Sequence, residues 1–316
     1  MCTDRWEGRV NGAPRTVFAR SQWVRLGPAE PPPVDAAELD RLRGRNEPVG
    51  LNEVDEVYRP LSQLVRVQRS AGLDLAAATA DFLGRPAERR PFVLGLAGSV
   101  AAGKSTTARI LQALLGTGSV VVDIVTTDGF LLPNLTLEQR RLLPRKGFPE
   151  SYDRKALIRF LLALRSGAEE VPAPVYDHVA YDVRKGGRQV LRRPDIVIVE
   201  GLNLLQPPVA RRDGGLFVSD LLDFTVYVDA AETDLRRWYV ERFLELRRTA
   251  FADPRSYFRR YAGLSDGSAV ATAEHIWDTI NAVNLRENIA PTHDRADLIV
   301  RKGADHAVES VSLRLR

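Results

Sequence analysis

Cysteine is almost missing from this chain. Cys2 is the only one in 316 residues, so no intramolecular disulfide can form and no cysteine-based metal centre can be assembled. That usage suits a reducing, cytoplasmic compartment. No apolar run reaches the roughly 20 residues that span a bilayer, and the first residues (Cys2, Asp4, Arg5, Glu7, Arg9) lack the basic-then-apolar order of a secretory signal. Neither a membrane partner nor export is expected. Cys/His ligand spacing and a G-x-S-x-G elbow are also absent, which excludes the commoner zinc-enzyme and serine-hydrolase readings. The basic excess is small, +4 with a pI near 9.3. Arginines alternate with acids, as in Glu88-Arg89-Arg90, so the charge reads as solvated surface and no nucleic-acid partner is expected. Apolar residues, at 44%, suffice for a large buried core and exclude a disordered chain.

The chain divides into a leader and one core. Residues 1–33 end in Pro28-Ala29-Glu30-Pro31-Pro32-Pro33, a polar, proline-rich stretch expected to be a flexible leader. Residues 34–316 are expected to form one domain that begins with helices. Asp35 to Leu42 and Leu51 to Gln68 show helical spacing, with Asn52 as a cap and Glu53, Asp55 and Glu56 in the first turn, where the helix dipole favours acids. Short apolar, β-branched runs follow at 91–96, 120–125, 196–199, 224–228 and 298–300. Strands alternating with helical segments predict an α/β fold, a doubly wound and mostly parallel sheet flanked by helices. In such folds ligands sit outside the carboxyl ends of the strands.

Between the first core strand and the helical segment from Thr106 lies Gly98-Ser99-Val100-Ala101-Ala102-Gly103-Lys104-Ser105. It fits the phosphate-binding loop G-x-x-x-x-G-K-[ST] without deviation. Glycines let backbone N–H groups converge on phosphate oxygens at a helix N-terminus, where the dipole favours negative charge. Lys104 is then placed to reach the β- and γ-phosphates and Ser105 to ligate Mg²⁺, with Thr106 beginning the helix.

Two acids stand at strand ends. Asp128, in Thr126-Thr127-Asp128-Gly129-Phe130, follows the second core strand and can accept a proton from an attacking hydroxyl. Glu200 closes Ile196-Val197-Ile198-Val199, the place where phosphate-loop proteins set the acid that orients Mg²⁺ or its waters. Tyr176 and His178 fall in a segment that reads as a loop after Pro172-Ala173-Pro174-Val175, and Tyr239 and Arg242 share a helix face at i, i+3. A kinase of some other small alcohol (uridine-kinase-like or phosphoribulokinase-like) and a non-catalytic nucleotide-binding regulatory module remain open on these residues alone.

Longer runs carry a resemblance. Tyr58-Arg59-Pro60-Leu61, Gly98 to Arg109, Arg145-Lys146-Gly147-Phe148-Pro149-Glu150-Ser151-Tyr152, Glu200-Gly201-Leu202-Asn203 and Glu287-Asn288-Ile289 occur in order. Over residues from about Phe18 onward the chain resembles the prokaryotic type I pantothenate kinases, within the uridine-kinase and phosphoribulokinase superfamily of P-loop kinases. The resemblance implies ATP and Mg²⁺ as cofactors, pantothenate as substrate, coenzyme A as inhibitor and a homodimer. It implies that Asp128, Lys104 and Arg242 are catalytic, and that Tyr176, His178, Tyr239, Arg242 and Asn281 line the pantothenate site with Phe251 and Phe258 as its apolar wall. Asn46 and His306 would flank the adenine, and Arg109 and His178 would engage coenzyme A.

Overall fold

A strand that lies in the middle of a sheet covered on both faces must be apolar on both of its sides. Phe92-Val93-Leu94-Gly95-Leu96-Ala97-Gly98 meets that demand, and all seven residues are buried. The computed structural model describes residues 14–28, 34–44, 47–207 and 216–315. Within them β1 (Arg15–Ala19), β2 (Phe92–Gly98), β3 (Val122–Thr126), β6 (Ile196–Glu200), β7 (Phe224–Asp229), β8 (Leu298–Lys302) and β9 (Val308–Arg314) form one seven-stranded sheet, ordered β1-β9-β8-β7-β2-β6-β3. The five strands from β3 to β8 run parallel, and β9 and β1 add antiparallel at the far edge. A separate antiparallel pair, β4 (Glu170–Asp177) with β5 (Asp182–Arg192), stands apart from the main sheet.

The predicted doubly wound, mostly parallel sheet is therefore present, and the five apolar runs supply its parallel strands. Helices flank it. Lys104–Leu115 follows the phosphate loop; Arg154–Arg165 is capped by the Asp153 carboxylate, which accepts from the Ala156 N–H at 2.9 Å. Glu232–Arg248 carries acids in its first turn and arginines in its last, matching the helix dipole at both ends. No helix among the described residues is long and apolar enough to cross a membrane.

The N-terminal expectations need correction. Residues 14–28 are not a flexible leader: β1 pairs with β9, and Trp23 is 2% exposed with its indole N–H donating to the Val57 carbonyl at 3.0 Å. Long-range pairing supplies order that a five-residue strand with no strong local pattern cannot announce. Residues 1–13 and 29–33 lie outside the described residues. The helix at Ala36–Leu42 is present, capped by Asp35. The next begins at Leu51 after Gly50 rather than at an Asn52 cap, passes through a π-helical stretch at Val54–Tyr58 and runs on as Arg59–Phe82. Glu53 is buried, accepting from the Val308 N–H at 3.2 Å, and so ties this helix to the sheet instead of decorating a solvated first turn.

Candidate active site

The carboxyl ends of β2, β3 and β6 converge on one crevice. At the end of β2 the chain turns through Gly98 (φ +141°), Ala101 (φ +65°) and Gly103 (φ +90°) into the helix Lys104–Leu115. A Cβ at Gly98 would sit 2.4 Å from the Val228 carbonyl oxygen, so close packing of the loop on β7 as well as backbone conformation requires glycine there. Ser99 and Ala102 are buried and Val100 is half-buried, as expected of a loop that presents backbone N–H groups rather than side chains. The Lys104 ammonium folds back on the loop, donating to the Ser99 carbonyl at 2.6 Å. Burial lowers its pKa to about 8, opposed by the nearby Glu200 and Asp128 carboxylates and reinforced by Arg242. One electrostatic neighbourhood thus contains Lys104, Glu200, Asp128 and Arg242.

Ser105 Oγ donates to Glu200 Oε1 at 3.1 Å. The other carboxylate oxygen, Oε2, is buried without a hydrogen-bond partner among the described residues, and burial raises the Glu200 pKa against the pull of Lys104. A hydroxyl and a buried, half-satisfied carboxylate beside a phosphate loop fit Mg²⁺, a hard cation that takes oxygen ligands and keeps several waters. The described residues contain no group of three or more His, Cys, Asp or Glu that could hold a metal ion.

Asp128 lies on the short turn Thr127–Phe130 after β3, its N–H donating to Thr126 Oγ1 at 3.3 Å. Its carboxylate acts on the titration of Lys104, Lys146, Tyr152, Tyr176 and Tyr181, which locates it among them. Tyr176 is in β4, not in a loop as its prolines suggested. Pro172 and Pro174 fit because β4 pairs on one side only, within a two-stranded ribbon. The turn after it is set by the Asp177 carboxylate, which accepts from the Val179 and Ala180 N–H groups, and it brings the His178 ring edge-on to Tyr176 at 5.1 Å. Tyr239, with the Asn281 side chain beside its hydroxyl, has its pKa pushed up to about 12 by burial. Phe251 and Phe258 meet at 5.1 Å in a small aromatic cluster with Phe243 and Tyr261. Of the residues expected at the acceptor site, Tyr176 lies within electrostatic reach of Asp128, and Tyr181, which Asp128 also reaches, packs on Phe258 at 4.6 Å and neighbours Tyr239.

Two basic residues were not foreseen as site residues. The Lys146 ammonium lies over the Tyr181 ring at 3.9 Å and donates to Asn134 Oδ1 at 2.6 Å and to the Tyr181 carbonyl; burial lowers its pKa to about 8. Its motif was legible, its place beside Asp128 was not. Lys302, at the end of β8, is 2% exposed and stands 2.6 Å from where a Cβ on Gly103 would be, with Glu47 Oε2 at 2.8 Å from the same point.

The residues expected around the adenine and coenzyme A divide. Asn46 lies outside the described residues. His306 lines a cavity of about 870 Å³ with Gly44, Glu47 and Glu241. Thr106 and Arg109 turn away from the phosphate loop: Thr106 Oγ1 accepts from the Gly44 N–H at 2.9 Å and from Arg109 Nη2 at 3.1 Å, while Arg109 Nε donates to the Leu42 carbonyl at 2.5 Å. In this structure both side chains hold the N-terminal segment against the phosphate-loop helix.

A phosphate loop at the end of the central strand β2, with Glu200 at the end of the adjacent β6 and Asp128 just past β3, defines a P-loop kinase, and residues 93–242 match the phosphoribulokinase and uridine kinase family. Among solved structures, a candidate fructose transport system kinase from Silicibacter sp. TM1040 is similar at 28% identity and a TM-score of 0.52, covering 69% of this chain and 94% of that one. Similarity is much higher to the pantothenate kinase of Sorangium cellulosum, 54% identical over 300 residues, 94% of this chain and 97% of the relative. The pantothenate kinase of Parvibaculum lavamentivorans is 50% identical over 306 residues, 96% and 94% of the two chains. The chain belongs to the pantothenate kinase family.

Proposed function

We propose that this protein transfers the γ-phosphoryl group of ATP to the primary hydroxyl of pantothenate, giving 4′-phosphopantothenate and ADP. The observation that supports the reading is Asp128, on its turn within electrostatic reach of both Lys104 of the phosphate loop and Tyr176, whose ring meets His178; the names of relatives that match nearly the whole chain favour pantothenate among small alcohols.

In this reading Asp128 accepts the hydroxyl proton as the oxygen attacks phosphorus, so the nucleophile need not form free alkoxide. Lys104 and Arg242 offset the charge carried by the transferring group and the departing ADP. Tyr176, His178, Tyr239 and Asn281 orient the polar groups of the substrate, and Phe251 and Phe258 pack on its methyl-bearing part and exclude water that would hydrolyse ATP. Ser105 and Glu200 would hold Mg²⁺, which when bound would supply neutralisation of phosphate charge. Coenzyme A as inhibitor, a homodimeric state and a cytoplasmic location belong to the same proposal, supported by the family resemblance.

The test is product analysis by mass spectrometry with Mg²⁺, ATP and, in parallel, pantothenate, uridine or ribulose 5-phosphate. Phosphopantothenate as the dominant product is expected. A preparation that binds ATP but forms none would overturn the assignment.

A further inference from the structure

The helix Glu232–Arg248 presents two faces. Tyr239 and Arg242 lie on its acceptor side, whereas Trp238, Glu241 and Glu245, at i, i+3 and i+7, share another face. Glu241 and Glu245 line the cavity of about 870 Å³, whose opposite wall includes Asp40, Gly44, Glu47 and His306. This cavity adjoins the phosphate loop. Gly44 is hydrogen-bonded to Thr106 in the first turn of the phosphate-loop helix, and Glu47 reaches Gly103.

Among the described residues, the carboxylates of Asp40, Glu47, Glu241 and Glu245 line the space together with the Arg43 guanidinium. Such a lining repels a phosphate and suits an uncharged group rich in N–H and O–H donors. The amino group and ribose hydroxyls of a purine nucleoside are such donors, and through Gly44 and Glu47 the cavity adjoins the loop that would hold its phosphates.

His306 offers that cavity a flat surface. Its ring stacks on the Trp238 indole with centroids 3.9 Å apart and planes 19° from parallel. Trp238 is 3% exposed. His306 itself sits at φ +69° in a tight turn, its N–H donating to the Gly303 carbonyl at 3.1 Å while the Gly303 N–H donates to the Ala307 carbonyl at 2.8 Å. A non-glycine residue keeps a left-handed backbone only where its surroundings hold it. Neither His306 Nδ1 nor Trp238 Nε1 has a hydrogen-bond partner among the described residues, so the stack, and no hydrogen bond at those atoms, orients the imidazole. Burial and the nearby Lys302 lower the His306 pKa, which favours the neutral ring.

We propose that Trp238 is a positioning residue for nucleotide binding: its indole backs the His306 imidazole, whose opposite face then stacks on the purine, making a three-ring column. The inference rests on the ATP-dependent reading above but not on the identity of the acceptor. Trp238 touches no substrate; it acts through His306.

Calorimetric titration with ADP, in the absence of any acceptor, measures the column directly. Trp238→Leu should weaken ADP binding about 3–10-fold, the size expected for one aromatic pair, and Trp238→Phe should restore most of it. His306→Ala should weaken ADP binding to a similar degree. Trp238→Leu or Trp238→Phe added to His306→Ala should then produce no further loss, because the indole would have nothing left to position. In kinetics the same variants should raise KM for ATP and leave KM for pantothenate in place. Losses that multiply in the double variant, or ADP affinity unaltered in Trp238→Leu, would overturn the proposal. Should Trp238→Leu fail to fold, Trp238→Met, which also removes the stacking ring, takes its place in the two backgrounds. A wild-type protein that binds ADP with this pattern yet ignores pantothenate would refute the acceptor and leave the column standing.

Discussion

Ser105 Oγ and Glu200 Oε1 are 3.1 Å apart, joined by a hydrogen bond between the first turn of the phosphate-loop helix and the end of the adjacent strand β6. The contact orients one carboxylate oxygen and leaves the other, buried Oε2, free for a cation or its water. Glu200→Gln should therefore raise the Mg²⁺ concentration needed for half-maximal rate by about 10–100-fold, the range for losing an outer-sphere ligand. Rate titrations against Mg²⁺ at fixed ATP check it. Superimposable wild-type and variant curves would assign Glu200 to holding Ser105 alone.

Asp128 and Lys104 should fail in different ways. Asp128→Ala should keep ADP affinity while kcat falls by about 10²–10⁴-fold, as for loss of a general base. Lys104→Ala should weaken both together. Steady-state kinetics beside calorimetry separates the two; a fully active Asp128→Ala would reduce this acid to a turn residue.

The lowered pKa of Lys104, about 8, has two consequences of definite sign. A lysine whose folded pKa lies below its unfolded value binds fewer protons when folded, so between about pH 8 and pH 10.5 the unlocked, ligand-free protein should gain stability from this group as pH rises. Bound phosphates favour the ammonium and restore its pKa, so ADP binding near pH 9 should take up a proton. Calorimetry in two buffers of different ionisation enthalpy measures the uptake. Lys104→Met should remove most of it, and uptake that persists in full would move the effect to Lys146, whose pKa is likewise lowered to about 8.

Gly103→Ala should be destabilising and should abolish nucleotide binding. Its backbone is left-handed, and the added Cβ would meet the Lys302 ammonium at 2.6 Å and the Glu47 carboxylate at 2.8 Å. Strain of this kind costs about 1–3 kcal/mol, readable as a lower melting temperature. An undisturbed melt with normal ADP affinity would show that both charged groups move aside freely.

Arg109 is engaged twice, by the Leu42 carbonyl and by Thr106. Arg109→Ala should relieve inhibition by coenzyme A, if that inhibitor uses the guanidinium, and should also loosen the segment before Gly44. Initial rates against ATP at several coenzyme A concentrations report the first effect, and faster hydrogen exchange in residues 40–44 reports the second. Equal coenzyme A sensitivity in wild type and variant would confine Arg109 to its structural role.

The sequence by itself determined what depends on contiguous residues. A strand buried on both faces must read as an apolar run, and a loop that wraps phosphate needs its glycines, lysine and hydroxyl side by side; hence β2, the loop 98–105 and the acids Asp128 and Glu200 at strand ends were legible. Only the tertiary structure decided what depends on residues far apart in the chain. It drew Arg15–Ala19 onto β9, made a strand of proline-containing Glu170–Asp177 by pairing it with β5, turned Arg109 to Leu42, and set Lys302 beneath Gly103 and Trp238 beneath His306. Such contacts arise when the sheet closes and its loops are brought together, and no local pattern of polarity or spacing encodes which distant side chain will be the neighbour.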